Sequence, residues 1–306
     1  MAASAPGDVR LAELEELSPH VSLSADVWRR FCTNRLSLAG LAIVLVLVFS
    51  ALFARQLSTY DPNAIDARII GSPQAPSLQH LFGTDVDGRD YFARMLFGAR
   101  ISLEVGFSAM LVAVTLGTLY GALAAFYGGL VDSVMMRFVD MMLSFPTFFL
   151  ILTVEALTNN FSFLVIMLVI GLLSWMGVSR LVRGQILSLR ERDFVSAARA
   201  LGADDGRIIG RHLLPNALAP VIVAATLAIG DNILIEAGLS YLGVGVQIPT
   251  PSWGNSLQKA LDPDVQSAPW LIFIPGALIV ITVIAFNFVG EGLREALDPK
   301  TRGASG

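Results

Sequence analysis

The chain has 306 residues, of which 54% are hydrophobic and 15% charged, with a formal net charge of −4 and one cysteine. A soluble domain carries about 25% charged residues, so this composition excludes an ordinary globular enzyme or nucleic-acid binder and points into a membrane. A lone Cys32 also excludes an internal disulfide; it reads as a small residue beside the inner membrane face.

Residues 1–23 read as a loosely ordered tail. The first 25 residues carry Glu13, Glu15 and Glu16 and lack the short apolar core of a cleavable signal, so the first apolar run is expected to serve as its own anchor. From Ser24, SADVWRRF predicts an N-capped short helix with Asp26 in its first turn. It either lies at the headgroup level through Trp28 and Phe31 or simply flanks the first span.

Five runs carry no charge: Leu36–Ala54, Val105–Val131, Ala156–Ser179, Leu213–Gly230 and Val265–Gly290. Crossing about 30 Å of hydrocarbon takes about 20 apolar residues. Met141–Val154 is shorter, but becomes long enough if its helix begins near Val134 and admits Arg137 and Asp140 at a water-facing end. The expected architecture is therefore all-α and polytopic, with six transmembrane helices. Its expected divisions are a tail and interfacial helix (1–35), a first span (36–55), an external segment (56–100), a five-helix core (101–298) and a closing tail (299–306). The core contains a loop at 191–215 and an external loop at 240–268.

The external segment ends in HLFGTDVDGRD, from His80 to Asp90. Asp85, Asp87 and Asp90 alternate as calcium ligands do, but no Gly-x5-Glu continuation follows, so a turn held by Asx-type hydrogen bonds and an Asp–Arg pair is expected. Gly83, Asp85, Gly88, Arg89 and Asp90 are its candidate positions. Further on, Pro146 falls inside the third predicted helix, where it kinks the helix and frees a carbonyl, either shaping a pathway or aiding packing. The last span is expected from about Trp270 to Val289, bent at Pro275.

Between two apolar runs lies SAARALGADDGRIIGRHLLP, from Ser196 to Pro215. Lipid cannot satisfy its charges or its broken backbone, so it docks rather than spans. A helix over Phe194–Leu201, a left-handed stop at Gly202, an Asp204 cap and a second helix over about Asp205–Leu213 are predicted, with Pro215 closing the unit. In the fifth span, Asp231, Asn232 and Glu236 interrupt the apolar pattern. Counting from Pro215 puts Asp231 in the outer third and Glu236 near the outer surface. They either form a polar wall or outer gate of a pathway, or the carboxylates cap the re-entrant backbone of Leu239–Gly245.

Four spans put the first residues and the Ser196 loop on one side. That side holds 15 of the 21 basic residues, which makes it cytoplasmic by the positive-inside rule. No GxxxxGK[ST] motif is present, and no GxSxG, HExxH or CxxC. The chain therefore holds no ATP by that device and offers no catalytic set, which argues against a membrane-anchored enzyme. A self-contained channel or ion-coupled carrier using Asp231 and Glu236 remains a different class of reading.

The pattern Ala197-Ala198-x3-Gly202-x11-Leu214-Pro215 resembles the EAA signature of permease subunits in bacterial ABC importers, with Ser196 in place of the usual Glu and His212 in place of the usual Ile. The segments His80–Leu103, Phe138–Leu150 and Leu239–Leu257, together with the Trp28–Ala54 opening, resemble the C-type permease of the dipeptide/oligopeptide/nickel importer family over about residues 25 to 298. The resemblance implies a type I importer permease fold in the bacterial inner membrane, with both termini cytosolic and a coupling helix made by Ser196, Ala197, Ala198, Gly202, Asp204, His212, Leu214 and Pro215. It implies a homologous B-type permease, two ATPase subunits that bind ATP and magnesium, and an external binding protein; this chain itself would hold no cofactor or metal. The cargo would be di- or oligopeptide, with nickel or glutathione as family alternatives. The spans show no His, Cys or Met cluster suited to a transition metal, since Met135, Met136, Met141 and Met142 at helical spacing suit packing.

Overall fold

A computed structural model of the chain describes residues 23–158, 162–259 and 268–298, whose regular elements are all helices, with no strand among them. The expected tails at 1–22 and 299–306, and the part of the external loop at 260–267 with Pro263, lie outside the described residues.

Helix α1 spans Leu23–Thr33 and begins before Ser24, so Ser24 lies in its first turn instead of capping it. Asp26 pairs with Arg30 at 3.1 Å one turn on, and Phe31 is buried while Trp28 is exposed. Asn34 then caps α2 (Arg35–Leu52): its Oδ1 accepts from the N–H groups of Leu36 at 3.0 Å and Ser37 at 3.2 Å. The other end of the same amide donates to Glu295 at 2.7 Å, so one side chain starts the first span and ties it to the last helix. A short α3 (Ala54–Leu57) follows.

Helix α4 runs from Tyr91 to Tyr127, so the last ten residues of the expected external segment are helical. Asp90 causes the early start: its Oδ1 accepts from the Ala93 N–H at 2.7 Å, satisfying a donor of the first turn. Two arginines of this stretch have partners that accommodate them in the helix. Arg94 is buried 3.6 Å from Asp85, and Arg100 bonds Glu104 at 3.0 Å one turn further.

Helix α7 spans Phe163–Arg190 and lies along α4 in the same direction. Gly171 faces Val112, Gly117 faces Trp175 and Val178, and Gly121 faces Ser179, so positions rise together on the two helices. Contact this close needs glycine. A Cβ added at Gly121 would stand 2.2 Å from the Ser179 carbonyl oxygen.

Two parallel helices require the chain to return to the first end between residues 127 and 163. Helices α5 (Gly129–Leu143) and α6 (Thr147–Thr158) make that return, bent by 80° where they meet. The single kinked third helix of the sequence expectation is therefore two helices. Pro146 has no N–H and its ring excludes a carbonyl one turn back, so the first helix ends by Ser144, which bonds back to Asp140 at 3.1 Å, and a second starts. With five continuous helices long and apolar enough to cross, this broken pair makes the sixth crossing. Asp140 pairs with Arg180 at 2.5 Å and Asp132 with Arg183 at 2.5 and 2.6 Å, joining α5 to α7.

Helix α10 (Leu214–Tyr241) runs antiparallel to α4, with Gly106 against Ile233 and Ser102 against Glu236. Helix α12 (Trp270–Leu297) runs antiparallel to α10 and α2, with Gly290 against Leu227 and Gly292 against Ser37. The start of α2, the 191–213 loop and the end of α12 thus share one end of the bundle. The 58–90 segment and the short α11 (Trp253–Lys259) lie at the other, where Lys259 pairs with Asp87.

Pro275 stands inside an uninterrupted α12 rather than ending it. A proline there cannot donate to the carbonyl of Leu271 one turn earlier. The Tyr91 hydroxyl donates to that oxygen instead, at 2.8 Å, from the first turn of α4.

Candidate functional site

At the end of the bundle shared by α2 and α12, the chain between α7 and α10 builds a compact knob. Helix α8 covers Asp193–Ala200, one residue earlier than expected. Val195 on its inner face is fully buried with Ile208 and Leu213 against Phe126, Val182 and Ile186. Gly202 takes φ +80°, and a Cβ there would meet nothing within 4 Å, so backbone conformation alone calls for glycine. Asp204 accepts from the Arg207 N–H at 2.6 Å and starts α9 (Asp205–Arg207).

Where one α-helix over 205–213 was predicted, a single α turn passes into a π-helical segment, Ile208–Leu213, and then directly into α10. Pro215 consequently does not close the unit. Its missing N–H and bulky ring would conflict with the carbonyl one α turn back. The wider π turn, in which the Leu214 N–H reaches the Ile209 carbonyl, lets the helix run through it.

The outward face of the knob is apolar at its tip and basic around it. Leu201 is 89% exposed and Phe194 40%. Phe194, Ala197, Ala198, Leu201, Ala203, Arg207 and His212 line a shallow groove of about 340 Å³. Of the expected loop positions, the groove gathers Ala197, Ala198 and His212. Gly202 and Asp204 shape its turn, Leu214 and Pro215 stand at its base, and exposed Ser196 lies off it. At the root, Arg190 donates to the Ala125 carbonyl at 2.9 Å, fixing the end of α7 to the end of α4.

The three polar residues of α10 do not form one constellation. Because the helix extends to Tyr241, Asp231 lies about 15 Å from its far end by helical rise, near mid-span instead of in the outer third. Glu236 stands five residues, about 8 Å by helical rise, before the far end of α10, and it is fully buried. Its Oε2 accepts from Ser102 at 3.0 Å and its Oε1 from Ser240 at 2.7 Å, while Ser240 Oγ accepts from the Val246 N–H at 3.0 Å. Glu236 therefore holds the chain that turns back after α10. Asp231 and Asn232 open instead on a separate cavity against α7 and the α5–α6 break.

At the opposite end, the Asp85–Asp90 turn is held from within. Asp85 Oδ1 accepts from the N–H groups of Asp87 at 3.0 Å and Arg89 at 2.9 Å, Arg89 pairs with Asp87 at 3.3 Å, and His80 meets Asp90 at 2.8 Å. Gly83 and Gly88 take φ of +75° and +77° at its corners. The residues that sequence reasoning missed are Ser102, Ser174, Ser240, Tyr91 and the Arg180 and Arg183 partners of α5. Only Ser174 and Gly177, small residues one turn apart in α7, leave a trace in the sequence.

Comparison with known proteins follows the same outline. Residues 74–303 match the family described as binding-protein-dependent transport system inner membrane component, and residues 22–76 match the N-terminal TM domain of oligopeptide transport permease C. The dipeptide transport system permease protein DppC of Alkalihalophilus pseudofirmus is 41% identical, covering 92% of this chain and 91% of its own. The oligopeptide transport system permease protein OppC of Escherichia coli is 43% identical over 92% of both chains. Among solved structures, the MetNI methionine ABC transporter in inward-facing form matches with a TM-score of 0.54 at 19% identity, over 67% of this chain and 96% of that one, which shows the fold. With three quarters of its length under one family model and relatives above 40% identity along nearly all of it, the chain belongs to the binding-protein-dependent transport system inner membrane components, in the branch that carries the permease C N-terminal domain.

Proposed function

We propose that this chain is one half of the membrane pathway of an ATP-driven importer of di- or oligopeptides. The observation that carries the reading is the knob at 191–213, which presents an apolar tip and groove to the outside and passes without a break into α10. A surface of that shape suits a cleft on an ATPase subunit, and a rod rooted in it delivers any displacement to mid-membrane. The relatives named as dipeptide and oligopeptide permeases support the cargo class over nickel or glutathione. The positive-inside count supports a cytosolic knob and termini. A homologous permease would complete the pathway, two ATPase subunits would bind ATP and magnesium, and an external binding protein would deliver peptide.

ATP-driven closure of the ATPase pair favours one arrangement of the knobs, and the helices follow as a two-state element biased by differential contact. The test is peptide uptake by the reconstituted complex. Gly202→Asp, which meets no steric obstacle but is strained by roughly 1–2 kcal/mol at positive φ, and Ala198→Trp, which fills the groove, should reduce uptake to background with membrane insertion intact. Normal uptake in both variants refutes the coupling role. Peptide transport by the purified chain alone would instead establish a carrier or channel.

A further inference from the structure

The cavity between α7, α10 and the α5–α6 break has a volume of about 210 Å³ and is lined by Leu143, Thr147, Ser174, Gly177, Asp231 and Asn232 among others. Three features set it apart from a packing defect. Asp231 turns an exposed carboxylate toward it near mid-span, a placement that costs about 2.5–3.5 kcal/mol against lipid and persists where it faces protein, water or cargo. Asn232 is only 1% exposed, yet its Nδ2 has no hydrogen-bond partner among the described residues, and neither has the buried Oγ of Ser174. Buried polar atoms are almost always satisfied, and two of those left without a partner among the described residues belong to side chains lining this one cavity, which makes it a candidate ligand site. The third feature is the break itself, since interrupted helices at membrane depth are tolerated where they line a cavity.

The donor set is specific. A carboxylate accepts from a cation, while the adjacent amide N–H donates to a carbonyl oxygen. Both are offered by the first residue of an unblocked peptide, whose ammonium and carbonyl are separated by a single carbon. We propose that Asp231, Asn232 and Ser174 form a mid-membrane subsite for the free amino terminus of a peptide in transit. Asp231 takes the ammonium, Asn232 Nδ2 donates to the first carbonyl, and Ser174 Oγ completes the shell. The inference rests on the peptide-import reading and adds the end of the cargo that is engaged and the residues that engage it. It also gives Asp231 a duty separate from that of Glu236, whose carboxylate is engaged by Ser102 and Ser240.

The experiment uses the complete importer in proteoliposomes with Cys32→Ser and a reporter cysteine at Gly177, where an added Cβ meets nothing within 4 Å. Labelling by a cationic methanethiosulfonate is followed with and without a tripeptide, free or N-acetylated. The free tripeptide should slow labelling at least 10-fold and the acetylated one should not. Asp231→Asn should abolish that protection and lower tripeptide uptake at least 10-fold, with assembly and basal ATP hydrolysis retained, and Asp231→Glu should restore most of both. Equal protection by the two peptides, or protection that survives Asp231→Asn, overturns the subsite. Loss of assembly or basal hydrolysis in both Asp231→Asn and Asp231→Glu makes the carboxylate structural and overturns it as well. Uptake by the unsubstituted complex is the separate control: if no peptide is imported, the transport reading itself fails.

Discussion

Single residues in this chain repair what proline breaks. Pro275 leaves the Leu271 carbonyl without its usual donor at the buried start of α12, and the Tyr91 hydroxyl supplies one from another helix at 2.8 Å. Tyr91→Phe keeps the ring and removes only that donor. An unsatisfied buried carbonyl costs about 1–3 kcal/mol, so the variant should show a lowered thermal midpoint in detergent while still inserting. An unchanged midpoint would mean that the Leu271 carbonyl is satisfied in another way. None of this was legible in the sequence, because Tyr91 and Leu271 are 180 positions apart and the pattern of either helix is simply apolar. Gly202 and Asp204 were legible because their duties are local: a positive φ and a first-turn N–H within three residues of the cap. Pro215 misled for the opposite reason. Its local preference is to end a helix, and a π segment stabilised by burial of Ile208 and Leu213 overrides it.

At the scale of elements, α5 is the anomaly. Of its residues only Val139 is buried, so apolar packing does little to place it. Its ion pairs to α7, Asp132–Arg183 and Asp140–Arg180, take that part. Asp132→Arg should therefore lower complex yield and transport, and adding Arg183→Asp should recover a substantial share of both, since the bidentate pair is re-formed with its ends exchanged. A double variant as poor as the single would show that side-chain shape at these positions matters more than charge. The sequence made the existence of this crossing visible and left its form hidden. Charge at Arg137 and Asp140 shortens the apolar window, and nothing along the chain reveals that Pro146 divides the segment instead of bending it. The same limit applies to residues 91–100, which join the helix with Arg94 paired to Asp85 and Arg100 to Glu104.

For the whole molecule, helix direction decides topology. The parallel α4 and α7 require one return crossing between them, and with it the 58–90 segment and the 191–213 knob fall at opposite ends of the bundle. In a Cys32→Ser background, Leu78→Cys, on a side chain 99% exposed, should be labelled by an impermeant maleimide added outside cells. Leu201→Cys, 89% exposed in this chain, should be labelled only after the membrane is opened and the ATPase subunits are stripped from the knob. Labelling of both from outside would contradict six crossings. Counting apolar runs was enough to anticipate the number of spans, because length against bilayer thickness is a one-dimensional property. The division of labour between Glu236 and Asp231 was not, since it depends on which helix each face of α10 meets.

The broken crossing also bears on how the protein is made. As α5 leaves the ribosome it carries Asp132, Arg137 and Asp140, and the cations that pair with both aspartates, Arg180 and Arg183, are not yet synthesised. A segment with unpaired charges is a poor substrate for insertion by itself. Insertion of the α5–α6 pair is therefore expected to be favoured once α7 brings Arg180 and Arg183 alongside it, while α7 itself packs against Gly117 and Gly121 of α4. A chain truncated before Phe163 is expected to leave this pair more open to protease than the full chain does, which digestion of membrane vesicles carrying each would show.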